Sequence, residues 1–209
     1  MSLSLDNIVM GVDLDDVLYQ TSKMIIEMGT DYLKKNQIKH KLNTTGYLVE
    51  DVFGVNSLIA RDIEKICEWQ SPKYISKEAV YSIKRMQNKY NAKLIVITAR
   101  DQKGAGDLLY TLFREESFQV DVVRTSITNK AETAIIEGCD VMLDDYTNNI
   151  KSFSDFIHCR PILVSPEHVL HNKPFASTYK HVLYNWNNLE EVLIKAIGDR
   201  YEPDDYRYN

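Results

Sequence analysis

Short runs of apolar and β-branched residues alternate along this chain with longer stretches whose apolar residues recur at helical spacing. This alternation is typical of a parallel β-sheet covered by helices, so it predicts an α/β fold. Each run is rich in the residue types that favour strands and ends near polar residues. We predict five strands, at residues 7–13, 93–98, 120–124, 140–143 and 161–164.

About eighty residues separate the first two predicted strands, far more than an ordinary βα connection needs. Two stretches in this interval, 21–35 and 57–69, place their apolar residues on one helix face. A third stretch, 77–90, has the same spacing and returns the chain to the sheet. We therefore predict a small helical cap inserted after the first strand, at residues 21–73, and a core domain formed by residues 1–20 and 74–209.

Four further helices are predicted in the core domain, at residues 104–116, 130–137, 148–156 and 188–198. The last residues, 201–209, are polar and contain a proline, so we expect the tail to fray.

The composition excludes several classes of protein. With 44% hydrophobic and 26% charged residues, the chain is neither disordered nor fibrous. The net charge of −5 argues against polymeric nucleic acid as a partner, because binding a phosphate backbone needs surplus Lys and Arg. Three widely spaced cysteines without a CxxC pair favour reduced thiols. No apolar run approaches the roughly 20 residues of a membrane span, so we expect a cytoplasmic protein with no membrane partner.

Polar side chains follow four of the predicted strands, at the edge where open parallel sheets bind ligands. They are Asp13, Asp15, Thr98, Lys130, Asp144 and Asp145. Carboxylates gathered at one edge repel each other unless a cation lies among them. Because the ligand atoms are oxygens and no His or Cys cluster lies nearby in the sequence, Mg²⁺ is the expected ion.

The same residues fit phosphoryl transfer. The Thr98 hydroxyl and the Lys130 ammonium group can hold phosphate oxygens while charge redistributes. Asp13 can attack phosphorus, and Asp15 can protonate the leaving oxygen and then activate water. Singly, these aspartates could be turn residues, Lys130 an exposed helix-terminal lysine and Asp145 a helix cap. The prediction of a catalytic site therefore depends on the whole set.

Four motifs in order resemble those of the haloacid dehalogenase-like superfamily of aspartyl phosphatases. They are residues 13–18 (DLDDVL), Thr98, Lys130 and residues 144–145 (DD), and the resemblance spans residues 7–146. It implies a three-layer, Rossmann-like parallel sheet with a helical C1-type cap between the first two motifs.

The resemblance also implies a role for each motif residue. Asp13 is the nucleophile and a Mg²⁺ ligand, while Asp15 gives the metal its backbone carbonyl and acts as acid and base. Asp144 is the side-chain ligand of the metal. Asp145 lies next to the ligands and helps to position them without binding the metal itself. Thr98 and Lys130 hold the phosphate, and Lys130 also keeps Asp13 ionised.

Within the superfamily, the amino-acid sequence around the motifs is similar to that of the 5'(3')-deoxyribonucleotidase group. The similar segments are 16–18 (DVL), 50–53 (EDVF), 96–100 (VITAR) and 142–145 (MLDD). The implied substrate is a nucleoside monophosphate. Two residues depart from the pattern: Asp16 stands where Gly is commonest, and Thr21 lies near a position where relatives often carry an aromatic residue for the base.

Other interpretations stay open at this stage. The substrate could instead be a sugar phosphate or a polynucleotide end, or the chain could be a non-catalytic phosphate-binding module, and a homodimer is also open. Cap aromatic residues could stack on a base or fill the cap core; they are Tyr19, Tyr47, Phe53, Trp69 and Tyr74. Arg100 could bind phosphate or anchor a surface loop, and the surface role is favoured. His168 and His171 are predicted to be ordinary surface residues.

Overall fold

The structure, a computed structural model, describes residues 5–67, 71–155 and 158–198. Its centre is a six-stranded sheet in the order β3-β2-β1-β4-β5-β6, and every neighbouring pair is parallel. The strands are β1 (Val9–Val12), β2 (Lys93–Ile97), β3 (Val122–Arg124), β4 (Val141–Asp144), β5 (Arg160–Val164) and β6 (Val182–Leu183). The predicted α/β fold with a parallel sheet is confirmed, and β6 is an additional strand.

Eight α-helices surround the sheet or lie in the insert within the described ranges. They are α1 (Thr21–Lys35), α2 (Val49–Phe53), α3 (Ser57–Ile66), α4 (Lys77–Tyr90), α5 (Gln102–Glu116), α6 (Lys130–Ile136), α7 (Thr147–Lys151) and α8 (Leu189–Gly198). None of the helices in these ranges is long and apolar enough to cross a membrane. The predicted fraying of the tail at 201–209 concerns residues outside the described part of the chain.

Strand β1 lies at the centre of the sheet and determines where ligands can bind. Chain connections leave β1 toward β2 on one side and reach β4 on the other, so the strand order reverses between β1 and β4. Val12 is paired with Leu143, and the amide of Asp13 donates to the Leu143 carbonyl over 3.0 Å. A switch point of this kind leaves a crevice at the carboxyl ends of the two strands.

Helices α1, α2 and α3 form the insert between β1 and α4. Their buried apolar residues include Met24, Leu33, Phe53, Ala60 and Ile63, which belong to the same hydrophobic cluster as buried residues of β1 and α4. Gly29 allows α1 to approach α2, because a Cβ atom there would lie 2.5 Å from Cζ of Phe53. The structure thus places helices within the interval predicted for the cap, while the boundaries at 21 and 73 stay a prediction.

Two short segments, 18–20 and 74–76, connect the insert to the core, and we call them the hinge. They run antiparallel, with a bridge between Tyr19 and Ile75. The amide of Gln20 donates to the Tyr74 carbonyl over 2.8 Å, and the amide of Ser76 donates to the Leu18 carbonyl over 2.9 Å. The chain therefore enters and leaves the cap at one place.

Candidate active site

Asp13, Asp144 and Lys130 form a buried ion-paired group at the switch point. Asp13 follows β1 directly, Asp144 is the last residue of β4, and Lys130 is the first residue of α6. The Lys130 ammonium nitrogen lies 2.7 Å from Oδ2 of Asp13 and 2.8 Å from Oδ2 of Asp144. All three side chains are almost completely buried. The sheet thus brings together three of the residues predicted for the site.

Burial and charge set the protonation of this group. Burial raises the pKa of Asp13 well above that of an ordinary carboxyl; Lys130 opposes the rise and Asp144 reinforces it. Burial alone would lower the pKa of Lys130, but Asp13 and Asp144 raise it, so the lysine stays charged. A nucleophilic carboxylate at Asp13 therefore depends on positive charge close by.

The residues present fit a hard divalent cation. Carboxylate oxygens of Asp13, Asp144 and Asp145 all lie within 4.8 Å of one another, and all three residues are buried. Oxygen donors gathered this closely suit Mg²⁺ better than a soft metal. Three buried carboxylates carry more negative charge than the single ammonium group of Lys130 can neutralise. A second cation would neutralise the remainder.

Asp144 is held in place by neighbours that follow β4. Its Oδ1 accepts a hydrogen bond from the Tyr146 amide over 2.8 Å. The Asn149 side-chain amide, on α7, lies 3.0 and 3.1 Å from the two carboxylate oxygens of Asp144. Sequence reasoning missed Asn149, although a polar residue one helical turn beyond a strand-end carboxylate is a usable signal.

Asp15 is fixed by a residue predicted to be on the surface. Nε and Nη2 of Arg100 lie 2.9 and 2.6 Å from the two carboxylate oxygens of Asp15. The Arg100 side chain is only 16% exposed, so the surface prediction for it was wrong. The Thr21 hydroxyl, at the start of α1, also donates to Asp15. Asp15 therefore connects the core to the first cap helix.

The backbone at Asp16 adopts a conformation that favours glycine. Its φ is 51°, in the left-handed region. Aspartate adopts this conformation more readily than most residues, and here its carboxylate accepts from the amide and the hydroxyl of Ser22. Burial and then the charge of Asp145 raise the pKa of Asp16 to about 7.

A second buried cluster shares Asp145 with the group formed by Asp13, Asp144 and Asp145. Ligand atoms of Asp16, Asp145 and His171 lie within 4.8 Å of one another, and Nε2 of His171 is 3.1 Å from Oδ2 of Asp145. His171 is 8% exposed, so its prediction as a surface residue was wrong. Burial lowers the pKa of its imidazole. The segment after β5 thus folds back to support the end of β4.

His168 is half-buried rather than an ordinary surface residue, which corrects a second histidine prediction. Burial lowers the pKa of its imidazole to about 4, and the backbone of Asp16 opposes part of this shift. The imidazole is therefore neutral at physiological pH.

Thr98 is placed at the end of β2 but has no exposed surface. Its hydroxyl accepts a hydrogen bond from the Arg100 amide over 3.2 Å. The side chain does not line the cleft above Asp13, so its predicted role in phosphate binding stays a prediction.

An open cleft of about 880 Å³ lies between the insert and the carboxyl ends of the strands, and we call it the catalytic cleft. Asp13, Asp15, Arg100 and Lys130 line its core side, and Ile25, Tyr47, Leu48, Val49 and Glu64 line its cap side. A cleft of this volume is in the range that takes a small organic ligand.

Among the cap aromatic residues, only Tyr47 lines this cleft within the described ranges. The residue is 51% exposed, and its ring stacks on Tyr146, with centroids 4.4 Å apart and planes inclined by 23°. Tyr19, Phe53 and Tyr74 are buried in the cap or at the hinge, as the core-filling alternative expects. Trp69 lies outside the described residues.

The fold is similar to that of known proteins, although the sequence matches none of the families compared. No protein-family model and no curated protein sequence matches the chain. Solved structures do, and two of the three that follow are described as haloacid dehalogenase-like hydrolases. A family IA hydrolase from Entamoeba histolytica has a TM-score of 0.59 and 10% identity, covering 92% of this chain and 100% of its own.

Two further solved structures are similar to this chain over most of its length. A haloacid dehalogenase-like hydrolase from Streptococcus pneumoniae has a TM-score of 0.57 and 14% identity, covering 88% of this chain and 97% of its own. A putative beta-phosphoglucomutase from Thermotoga maritima has a TM-score of 0.55 and 12% identity, covering 90% and 99%. At such low identity the likeness establishes the fold, which is the one the motif resemblance implies. None of the three is named as a nucleotidase.

Proposed function

We propose that the protein is a Mg²⁺-dependent phosphomonoesterase that transfers the phosphoryl group of a small ester to Asp13 and then to water. The observation that carries this proposal is the buried group in which Lys130 lies within 2.8 Å of both Asp13 and Asp144. It offers a nucleophile, a cation for phosphate oxygens and ligands for a metal at one point of the cleft. The fold shared with hydrolases supports the proposal.

The chain's own residues can perform both half-reactions. A carboxylate oxygen of Asp13 attacks phosphorus while the bond to the ester oxygen breaks, and Asp15 gives that oxygen its proton. Asp15 then takes a proton from water, whose oxygen attacks phosphorus and displaces the Asp13 carboxylate as inorganic phosphate forms. Lys130 neutralises charge on the transferred group throughout. Mg²⁺, held by Asp13, Asp144 and the backbone of Asp15, supplies further positive charge when bound.

The proposed substrate is a nucleoside monophosphate. The half-exposed ring of Tyr47, on the cap side of the cleft, offers a face on which a base can stack. A sugar phosphate is the second candidate, since the neighbour from Thermotoga maritima is described as a putative beta-phosphoglucomutase. Both candidates place the phosphate at Asp13 and the leaving group against the cap.

Chelation and a substrate panel test this proposal together. Removal of Mg²⁺ by a chelator is expected to abolish phosphate release, and added Mg²⁺ should restore it, because the single charge of Lys130 cannot neutralise both the buried carboxylates and the phosphate group. Release should be faster from nucleoside monophosphates than from sugar phosphates or an aryl phosphate, measured as kcat/KM. Activity that survives full chelation would contradict the metal dependence. Preference for a sugar phosphate would overturn the nucleotidase assignment alone.

Arg100 is expected to act as a positioning residue for Asp15. Arg100→Lys keeps the charge but loses the two-point contact with the carboxylate, so kcat should fall by about tenfold or more with little change in KM. Arg114→Lys is the matched control, since Arg114 lies on the exposed face of α5. If KM rises while kcat is unchanged, Arg100 binds substrate instead of positioning Asp15.

A further inference from the structure

Two ring contacts join the insert to the core at the catalytic cleft, in addition to the hinge. Tyr47, in the segment between α1 and α2, stacks on Tyr146 with ring centroids 4.4 Å apart. It also lies edge-to-face against His171, with centroids 5.4 Å apart and planes inclined by 85°. Tyr146 follows β4 and His171 follows β5, so both belong to the core. We call these three residues the aromatic clasp.

The insert holds Tyr47 in a defined place. The amide of Asn43 donates to the Val52 carbonyl over 2.7 Å, which attaches the segment before Tyr47 to α2. Gly46 lies so close to α2 that a Cβ atom there would be 2.8 Å from the backbone carbonyl carbon of Asp51. A larger residue would therefore displace the segment. Because the segment is attached to the insert in this way, we expect the Tyr47 ring to move together with the insert.

Both core residues of the clasp contact carboxylates at the end of β4. The Tyr146 amide donates to Oδ1 of Asp144 over 2.8 Å. Nε2 of His171 lies 3.1 Å from Oδ2 of Asp145. One residue of the insert thus packs against two residues that hold neighbouring members of the carboxylate group.

We propose that Tyr47 is a positioning residue that couples closure of the cap to the binding of Mg²⁺, an inference that rests on the metal site of the proposed function. Stacked and edge-to-face ring pairs are both stabilising arrangements, so the closed cap restricts Tyr146 and His171. These two residues then hold Asp144 and Asp145 ready for the ion. When the cap opens, the ring contacts are lost and the carboxylates must be ordered as the ion binds, which lowers the affinity.

The coupling acts in both directions, because two linked equilibria change each other by the same factor. Mg²⁺ at Asp144 fixes the carboxylate that accepts from the Tyr146 amide, and so it also fixes the residue on which Tyr47 stacks. The ion should therefore favour the closed cap and make opening at the hinge less frequent. Opening there breaks the hydrogen bonds of the Gln20 and Ser76 amides, which then exchange with solvent.

Calorimetric titration with Mg²⁺ alone, without substrate, tests the first direction. Tyr47→Ala is expected to weaken the affinity by about fivefold or more. Tyr47→Phe keeps the ring and should retain the affinity of the wild type. Gly46→Ala displaces the ring without removing it and should weaken binding as well. Tyr110→Ala is the matched control, because Tyr110 is 63% exposed on α5 and should not affect the affinity.

Hydrogen exchange with and without Mg²⁺ tests the second direction. The ion should slow exchange at the amides of Gln20 and Ser76 in the wild type and in Tyr110→Ala. In Tyr47→Ala this slowing should be lost. Slowing of equal size in Tyr47→Ala would overturn the proposal, since the ion would then act on the hinge without the clasp.

The titrations separate this inference from the proposed function. Wild-type affinity in Tyr47→Ala, or in Gly46→Ala if the first variant does not fold, would overturn the role of the clasp and leave the metal-dependent function intact. An equal loss of affinity in Tyr47→Phe and Tyr47→Ala would overturn the stacking argument, because the hydroxyl group would then carry the effect. A wild-type protein that binds no Mg²⁺ would overturn the inference and the metal dependence together.

Discussion

Asp13→Asn is expected to lower kcat by roughly 10⁴-fold or more, as removal of a covalent nucleophile does in other enzymes. The amide that replaces the carboxylate has nearly the same shape but cannot form the acyl phosphate. The fold should persist, because the substitution removes one of three crowded carboxylates and Lys130 keeps its contact with Asp144. Steady-state phosphate release and a thermal unfolding curve measure the two effects.

The control for this variant is Asp140→Asn. Asp140 lies just before β4, at the opposite edge of the sheet, where its carboxylate accepts from the Val9 amide over 2.8 Å. It should keep full activity. Beryllium fluoride, which mimics an aspartyl phosphate, should bind the Mg²⁺-loaded wild-type protein and not Asp13→Asn. Equal turnover by Asp13→Asn and wild type would rule out the covalent route through Asp13. Absence of turnover in both proteins would favour a non-catalytic phosphate-binding module.

Lys130→Ala is expected to lower the free energy of unfolding by about 3–5 kcal/mol in metal-free buffer, the range for breaking a buried charge pair. The side chain is 5% exposed and pairs with two carboxylates that are themselves buried. Without it, the two buried carboxylates lose the positive charge that lies between them. Denaturant unfolding in the presence of a chelator measures the loss.

Magnesium should restore part of the stability of Lys130→Ala, because the ion places positive charge among the same carboxylates. Lys65→Ala, at a lysine whose side chain is 67% exposed, should change the unfolding free energy little and serves as the control. A loss below about 1 kcal/mol for Lys130→Ala would mean that the aspartates are protonated in the metal-free protein and that Lys130 contributes little.

Helices with a regular apolar face were predictable in detail. The predicted helices at 21–35 and 77–90 have the same bounds as α1 and α4, because burial of one helix face imposes a period on the sequence. Helix α2 has five residues and β6 has two. Both were missed, since elements this short leave no period to detect.

The core of the candidate site was predictable for a different reason. Parallel strands all end at the same edge, so residues at strand ends meet wherever the strands pair. The contacts that hold those residues were not predictable. Arg100 reaches Asp15 across 85 positions and His171 reaches Asp145 across 26, and neither distance leaves a periodic signal. Long side chains from loops are placed by the assembled fold, which is why both were assigned to the surface.

The position of the hinge affects how the insert can vary during evolution. Because the chain leaves and re-enters the core at two hydrogen-bonded segments, the length of the intervening insert hardly alters the geometry of the sheet. Closing a longer loop between fixed ends costs only about 0.6 kcal/mol per doubling of its length. One insert could therefore be exchanged for another of different size without moving Asp13 or Asp144. The insert, which faces the substrate, and the sheet, which carries the reacting carboxylates, could then evolve independently.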